Sequence, residues 1–323
     1  MGPSCLDSRR RPLPYSCLVA EHVRRGPAPE EPWQAMLHAA ISEVTTLRWE
    51  LSDELDALAR HGFDAISIWR TKLSDIDAAR GRWLIERAGV RVSSLQWIGG
   101  FTGSDGRSFA EAIEDGIEAI EEAAALSAGV LLVHPGCRGG HTLSHARRLL
   151  EDAVGQLASA AAEQGVTLAV MPTHRRAAGG CGYLTSLEAG RDLVRRCNHP
   201  GIRLAIDLWH FGHEPDLPER LAELLPDTAV VRVADRLGLP SNDQQRLPPG
   251  EGLLPLGRLV SAIEAAGYRG DVEFECVGET VQQAGYESTL ARLRATADRW
   301  GFAGSPGLIR QPRHNAGRLT ISD

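Results

Sequence analysis

The 323-residue chain has no apolar run long enough to cross a bilayer, which takes about 20 residues. Its opening stretch, MGPSCLDSRRRPLPYS, carries arginines but no apolar core of a secretory signal. Six cysteines stand at 5, 17, 137, 181, 197 and 276, and no pair forms a CxxC. With no secretory signal, that usage predicts free thiols in a reducing compartment rather than a disulfide framework, and hence a cytoplasmic location. The net charge is −7 with acidic and basic residues interspersed, and there is no basic stripe with interleaved aromatics. Nucleic acid is therefore not the expected partner, and neither is a membrane. A GxGxxG after the first apolar run would mark a dinucleotide-binding sheet. LRWELSDELD follows there instead.

What is present is regular alternation of short apolar runs with helical stretches whose apolar residues recur at i, i+3 and i+4. Eight units can be named by their strands: AISEVTTL, DAISIW, RVSSLQW, VLLVH, VTLAVM, IRLAID, TAVVRVAD and DVEFECV, each followed by an amphipathic stretch. Ser52, Ser108 and Ser144 are expected to cap helix starts, and Gly62, Gly89, Gly165 and Gly267 to end helices. Strands joined through crossover helices must be parallel. Continuous apolar runs suit strands covered on both faces. Eight such units predict a closed (β/α)8 barrel, an α/β TIM barrel, over residues 37–303. Residues 1–36 and 304–323 are rich in Pro and Arg without periodicity, and are expected to be flexible extensions.

In this architecture the reacting groups lie at the carboxyl ends of the strands. Strand two delivers Arg70 and Lys72, which could hold a phosphate or carboxylate, or simply pair with Asp75 and Asp77. Strand three delivers Trp97 ahead of a glycine-rich loop, an apolar wall for a ligand or a loop with no specific chemistry. Strand four ends in His134, strand five in Met171-Pro172-Thr173-His174, strand six in Asp207-Leu208-Trp209-His210, and strand seven in Arg232-Val233-Ala234-Asp235. Alternation places Glu273 and Glu275 of strand eight on one side. A carboxylate closing an apolar strand is costly unless paired or metal-bound, so Asp207 and Glu275 are the most informative acids. The bland alternatives are a pairing of Glu273 with Arg269, a turn role for His174, and a helix-capping role for Asp207 toward Trp209 and His210.

IDLWH on strand six, AD after strand seven, PGEG at Pro249–Gly252 and AGYRGDVEFE together resemble the xylose-isomerase-like sugar phosphate isomerase/epimerase barrels, over about residues 40–300. That broad family includes tagatose epimerases, hydroxypyruvate isomerases and inositol-pathway enzymes. The resemblance implies a small sugar or polyol substrate, a homo-oligomeric habit, and proton transfer between neighbouring carbons through an enediolate. It also implies one divalent metal, Mn or Mg, held by a Glu, an Asp, a His and a Glu at the ends of strands five to eight. Residue by residue, Asp207 and Glu275 match two ligands, and His210 matches a substrate-contacting histidine. Met171 stands at the strand-five Glu, and Arg232 stands at the strand-seven His. A thioether is a poor ligand for a hard cation and cannot act as a base, and an arginine cannot ligate.

Two functions follow. One is an isomerase or epimerase with an atypical or lost metal site. Glu275 would be its base, His174 or His134 the partner, Asp207 and Glu275 the remaining metal ligands, and His210, His134, Arg232, Arg70, Lys72 and Trp97 the substrate contacts. The other is a sugar-binding or regulatory barrel without the metal, in which Arg232 pairs with the carboxylates. A DNA repair endonuclease on a related barrel would need a multi-metal cluster and a basic face, and the sequence offers neither.

Overall fold

The computed structural model describes residues 37–74, 76–178, 182–241 and 244–303. The two expected extensions, Asp75, and Cys5, Cys17 and Cys181 lie outside the described residues. Eight parallel strands close a barrel in sequence order. They are β1 (His38–Ser42), β2 (Ala65–Trp69), β3 (Arg91–Gly99), β4 (Val130–His134), β5 (Thr167–Val170), β6 (Ile202–Asp207), β7 (Thr228–Val233) and β8 (Asp271–Phe274). Pairing of β1 with β8, Ala39 to Val272 and Ile41 to Phe274, completes the circle.

The helices run in order: α1 (Leu51–Arg60), α2 (Arg70–Leu73), α3 (Ala78–Ala88), α4 (Phe109–Ala125), α5 (Leu143–Glu163), α6 (Leu187–Cys197), α7 (Leu208–Phe211), α8 (Leu217–Leu224), α9 (Leu256–Ala265), α10 (Glu279–Ala284) and α11 (Tyr286–Arg299). Each long helix buries one stripe against the sheet. In α1 the stripe is Leu51, Leu55 and Leu58, spaced by four and three residues as the helical period requires. In α6 it is Leu187, Leu193 and Val194, with Gly190 between them. A Cβ at Gly190 would come 2.5 Å from Pro172 Cγ and 2.8 Å from Leu204 Cδ1, so the absent side chain lets α6 press onto the barrel.

Of the three serines expected to cap helices, Ser108 does so through a reciprocal capping box with Glu111. The other two do not. Glu50 precedes α1 with no side-chain cap bond, and Thr142 caps α5 by accepting from His145 N. Ser52 and Ser144 therefore lie inside the first turn. Gly62, Gly89, Gly165 and Gly267 all adopt positive φ at the helix ends, as the sequence predicts.

Inside the barrel, alternate residues point at one another. One side is apolar, where Leu132, Ala169, Met171, Ala205 and Val230 pack together from β4 to β7. The other side is polar. Ser42, Ser67, Ser94, Gln96, Arg232 and Glu273 are all buried there. Most of this polar side is bonded internally, since an unmet buried polar group costs about 1–3 kcal/mol.

The free-thiol expectation holds for Cys197 and Cys276 but not for Cys137, which is disulfide-bonded. Long-range cysteine pairing leaves no spacing signature. An antiparallel bridge from Cys137 to Gly182 brings the loops after β4 and β5 together. Cysteine usage therefore no longer argues for a reducing compartment. Among the described residues, no helix is long and apolar enough to cross a membrane.

Candidate functional site

The carboxyl ends of the strands converge on a network of two arginines and three carboxylates. Glu273 points into the barrel and accepts from Ser93 Oγ at 2.7 Å, Ser94 Oγ at 2.6 Å and Arg232 Nε at 3.0 Å. Arg232 Nη1 reaches on to Glu275 Oε2. Glu275 Oε2 also accepts from Ser42 Oγ at 3.0 Å. Gln96 donates to both Ser42 Oγ and Ser67 Oγ at 2.8 Å, and Ser67 bonds Ser94 at 2.7 Å. The circuit thus joins β1, β2, β3, β7 and β8. The alternation that put Glu273 and Glu275 on one side is what allows a single guanidinium to reach both.

A second arginine closes the circuit from above. Arg246, in the loop after β7, donates through Nη2 to Asp207 Oδ2 at 2.6 Å, and its Nε lies 3.3 Å from Glu275 Oε1. The same Nε donates to the Glu275 backbone carbonyl at 3.1 Å. Asp207 Oδ1 accepts from Trp209 N at 2.9 Å, which is its capping role. Trp209 also stacks beneath Arg246, whose guanidinium carbon is 5.1 Å from the ring centroid.

Asp235 positions this loop. It pairs antiparallel with Leu247, and its carboxylate accepts from the backbone N–H groups of Arg236, Gly250 and Leu254. A Cβ at Gly252 would stand 2.3 Å from Asp235 Oδ1 and 2.5 Å from the Arg236 carbonyl. The AD and PGEG segments singled out in the sequence are therefore one structure, and its product is the placement of Arg246.

The charges of the site follow from this packing. Burial raises the Asp207 pKa, but the opposing pull of Arg246, then of His210 and Arg232, outweighs it and leaves the carboxyl below its ordinary range. Burial keeps Glu273 above its ordinary value, with Arg232 and the two serines offsetting only part of the rise. Burial pulls Arg246 down, but Asp207 and Glu275 reverse this, so it remains a cation. The histidines go the other way. Burial brings His210 down to about 3, against Asp207 and with help from Arg246. Burial, then His213 and Arg236, bring His174 down to about 4. His134 is lowered by burial and then by Arg232. All three are neutral imidazoles at pH 7.

Asp207, His210, Glu275 and Arg232 are brought together, and His134 borders them with its ring 5.9 Å from the half-exposed Trp97. His174 packs edge-on to Phe211 and His213 beside Arg236, at one side of the network. Arg70 and Lys72 are committed elsewhere. Arg70 bonds Asp115 and Glu122 of α4, and Lys72 bonds Glu54 of α1 at 2.8 Å. Neither pairs with Asp77, and Arg269 bonds the Tyr268 carbonyl rather than Glu273. Arg246 and Gln96 escaped the sequence reading. Arg246 lies in a loop with no local pattern, and its only signal is its place just before PGEG.

Gln96 Oε1, Thr173 Oγ1 and His210 Nδ1 are among the buried polar atoms at the strand ends with no hydrogen-bond partner among the described residues. The donor set suits a metal poorly. Asp207 and Glu275 are each ion-paired to guanidinium groups, and Met171 is packed into the apolar cluster. A cation at ~4 Å from each guanidinium would meet roughly 4 kcal/mol of repulsion per unit charge at an effective dielectric of ~20, doubled for a divalent ion. Among the described residues, no three His, Cys, Asp or Glu side chains are grouped to hold a metal ion.

The model of the family described as xylose isomerase-like TIM barrel matches residues 55–296. Among solved structures, a protein from Sinorhizobium meliloti 1021 is similar with a TM-score of 0.73 at 24% identity, covering 81% of this chain and 97% of its own. The IolI protein solved with a zinc atom gives 0.70 at 19% identity, covering 81% of this chain and 97% of that one. The 3-keto-D-glucoside 4-epimerase of E. coli gives 0.67 at 19% identity, covering 80% of this chain and 99% of that one. At these identities the likeness is one of fold. Comparison with curated proteins gives no significant match.

Proposed function

This chain belongs to the xylose isomerase-like TIM barrel family, and we propose that it binds a small sugar or polyol at the barrel mouth through an arginine–carboxylate network rather than through a divalent metal. The observation that carries this reading is Arg246, which bridges Asp207 and Glu275, the two acids that match the family's ligand positions. Arg232 supplies a second cation to Glu275 from the position of the family's histidine. Two guanidinium groups thereby take over the charge balance that a metal would provide. Gln96 Oε1, Thr173 Oγ1 and His210 Nδ1 add unmet hydrogen-bonding capacity, and Trp97 adds an apolar edge. Alternating polar and apolar contacts are what a hydroxylated carbon chain needs. That the similar structures include a sugar epimerase supports the ligand class.

Isomerase or epimerase turnover through an enediolate is the second reading. Neutral His134 beside the network favours it, because a neutral imidazole can accept a proton. Against it, Met171 offers no second carboxylate, and Glu275 is already saturated by Arg232, Arg246 and Ser42. Titration calorimetry with ketohexoses and cyclic polyols tests the first reading, with saturable binding that survives Glu275→Gln as the expected result. Turnover abolished by Glu275→Gln would establish the second reading in its place.

A further inference from the structure

We propose that the end of the barrel opposite the mouth carries a second site, for a small molecule bearing a phosphate group, read by Arg203 and Arg269. A cavity of about 480 Å³ opens there, lined by the first residues of the late strands, among them Thr167 of β5, Arg203 of β6 and Thr228 of β7, and by Tyr268-Arg269-Gly270 just before β8. All strands run parallel, so these strand starts lie at the end away from Asp207 and Glu275. The size lies within the usual range of about 300–1,000 Å³ for small-molecule pockets.

Its charge is unbalanced. The surrounding arginines are neutralised: Arg91 by Asp271, and Arg191 and Arg195 together by Glu223 and Asp227. Arg203 and Arg269 form no ion pair among the described residues. Arg203 donates through Nη2 to the Pro226 carbonyl, and its shielded Nε has no partner. Arg269 donates through Nη1 to the Tyr268 carbonyl. A carbonyl satisfies a donor without cancelling its charge. The end of α9 at Ala265 brings carbonyls to the rim, worth about half a negative unit, which two full cations outweigh.

Two uncompensated guanidinium groups match a phosphate monoester, which carries about −1.5 to −2 at pH 7, better than a monocarboxylate. The cavity wall next to Arg269 is built rather than accidental. Tyr268 bonds the Ala229 and Asp271 carbonyls at 3.1 Å, and a Cβ at Gly270 would come 2.2 Å from its hydroxyl. Only glycine at 270 leaves that ring in place.

Calorimetry of the full chain with inorganic phosphate and with phenyl phosphate tests the site. Saturable binding is expected, weakening at least tenfold in Arg269→Gln and recovering in part in Arg269→Lys. Arg269 is exposed, so its substitution does not endanger folding. The Arg203→Gln, Arg269→Gln double variant should bind neither probe. Absence of saturable binding by the wild-type chain, or equal affinity in Arg269→Gln, would overturn the proposal. Acetate binding as tightly as phosphate would overturn the phosphate assignment.

Discussion

Arg246 donates to Asp207 at 2.6 Å in a site where the Asp207 side chain is 1% exposed. An ion pair this buried is costly to break, because removing one partner strands a charge that water cannot reach. Arg246→Gln is expected to lower unfolding free energy by about 3–5 kcal/mol. Arg60→Gln breaks an exposed pair with Glu287 and should cost no more than about 1 kcal/mol. Urea unfolding of the two variants checks the contrast.

Metal affinity should appear when the ligand types that the family resemblance implies are put in place. The triple variant Met171→Glu, Arg232→His, Arg246→Gln introduces two ligand types and removes both repelling cations. It is expected to bind Mn²⁺ with measurable heat. Met171→Glu alone should not, since Arg232 and Arg246 remain and the new carboxylate is buried among Leu132, Ala169, Ala205 and Val230. Calorimetry with MnCl₂ distinguishes the two.

The buried glutamate after β1 should make stability depend on pH. Burial and then Glu54 push the Glu43 pKa well above its ordinary value, with Lys72 offsetting only part. The folded state therefore binds this proton more tightly than the unfolded chain. Its contribution is fully present below the ordinary carboxylate value and is lost as pH rises through the raised one. Glu43→Gln should remove that loss, so the variant gains stability on the wild-type chain as pH rises from 4 to 8. Urea melts of both proteins across that range test the sign. A parallel decline in the two would contradict it.

The barrel was legible because each of its eight units carries both periodicities, as in IRLAID followed by LPERLAELL. Asp207 and Glu275 were legible because a carboxylate closing an apolar strand demands a partner. The partners themselves were only half legible. Arg232 was visible through its strand position, but its second bond, to Glu273, depends on the register that sets Arg232 opposite Glu273. Arg246 was invisible, because its position follows from Asp235 folding a loop 11 residues away in sequence. Arg70 and Lys72 look like ligand-binding cations in sequence, yet their partners lie on α4 and α1, and no local spacing reports a contact made across the fold.

On the proposed function, Arg232 and Arg246 do the electrostatic work of a metal at this barrel mouth. Elemental analysis of protein purified without chelator, coupled to sugar or polyol calorimetry before and after EDTA, tests it most directly. No stoichiometric divalent metal and the same affinity in both titrations are expected. About one equivalent of Mn, Mg or Zn per chain, lost to EDTA together with ligand binding, would contradict it.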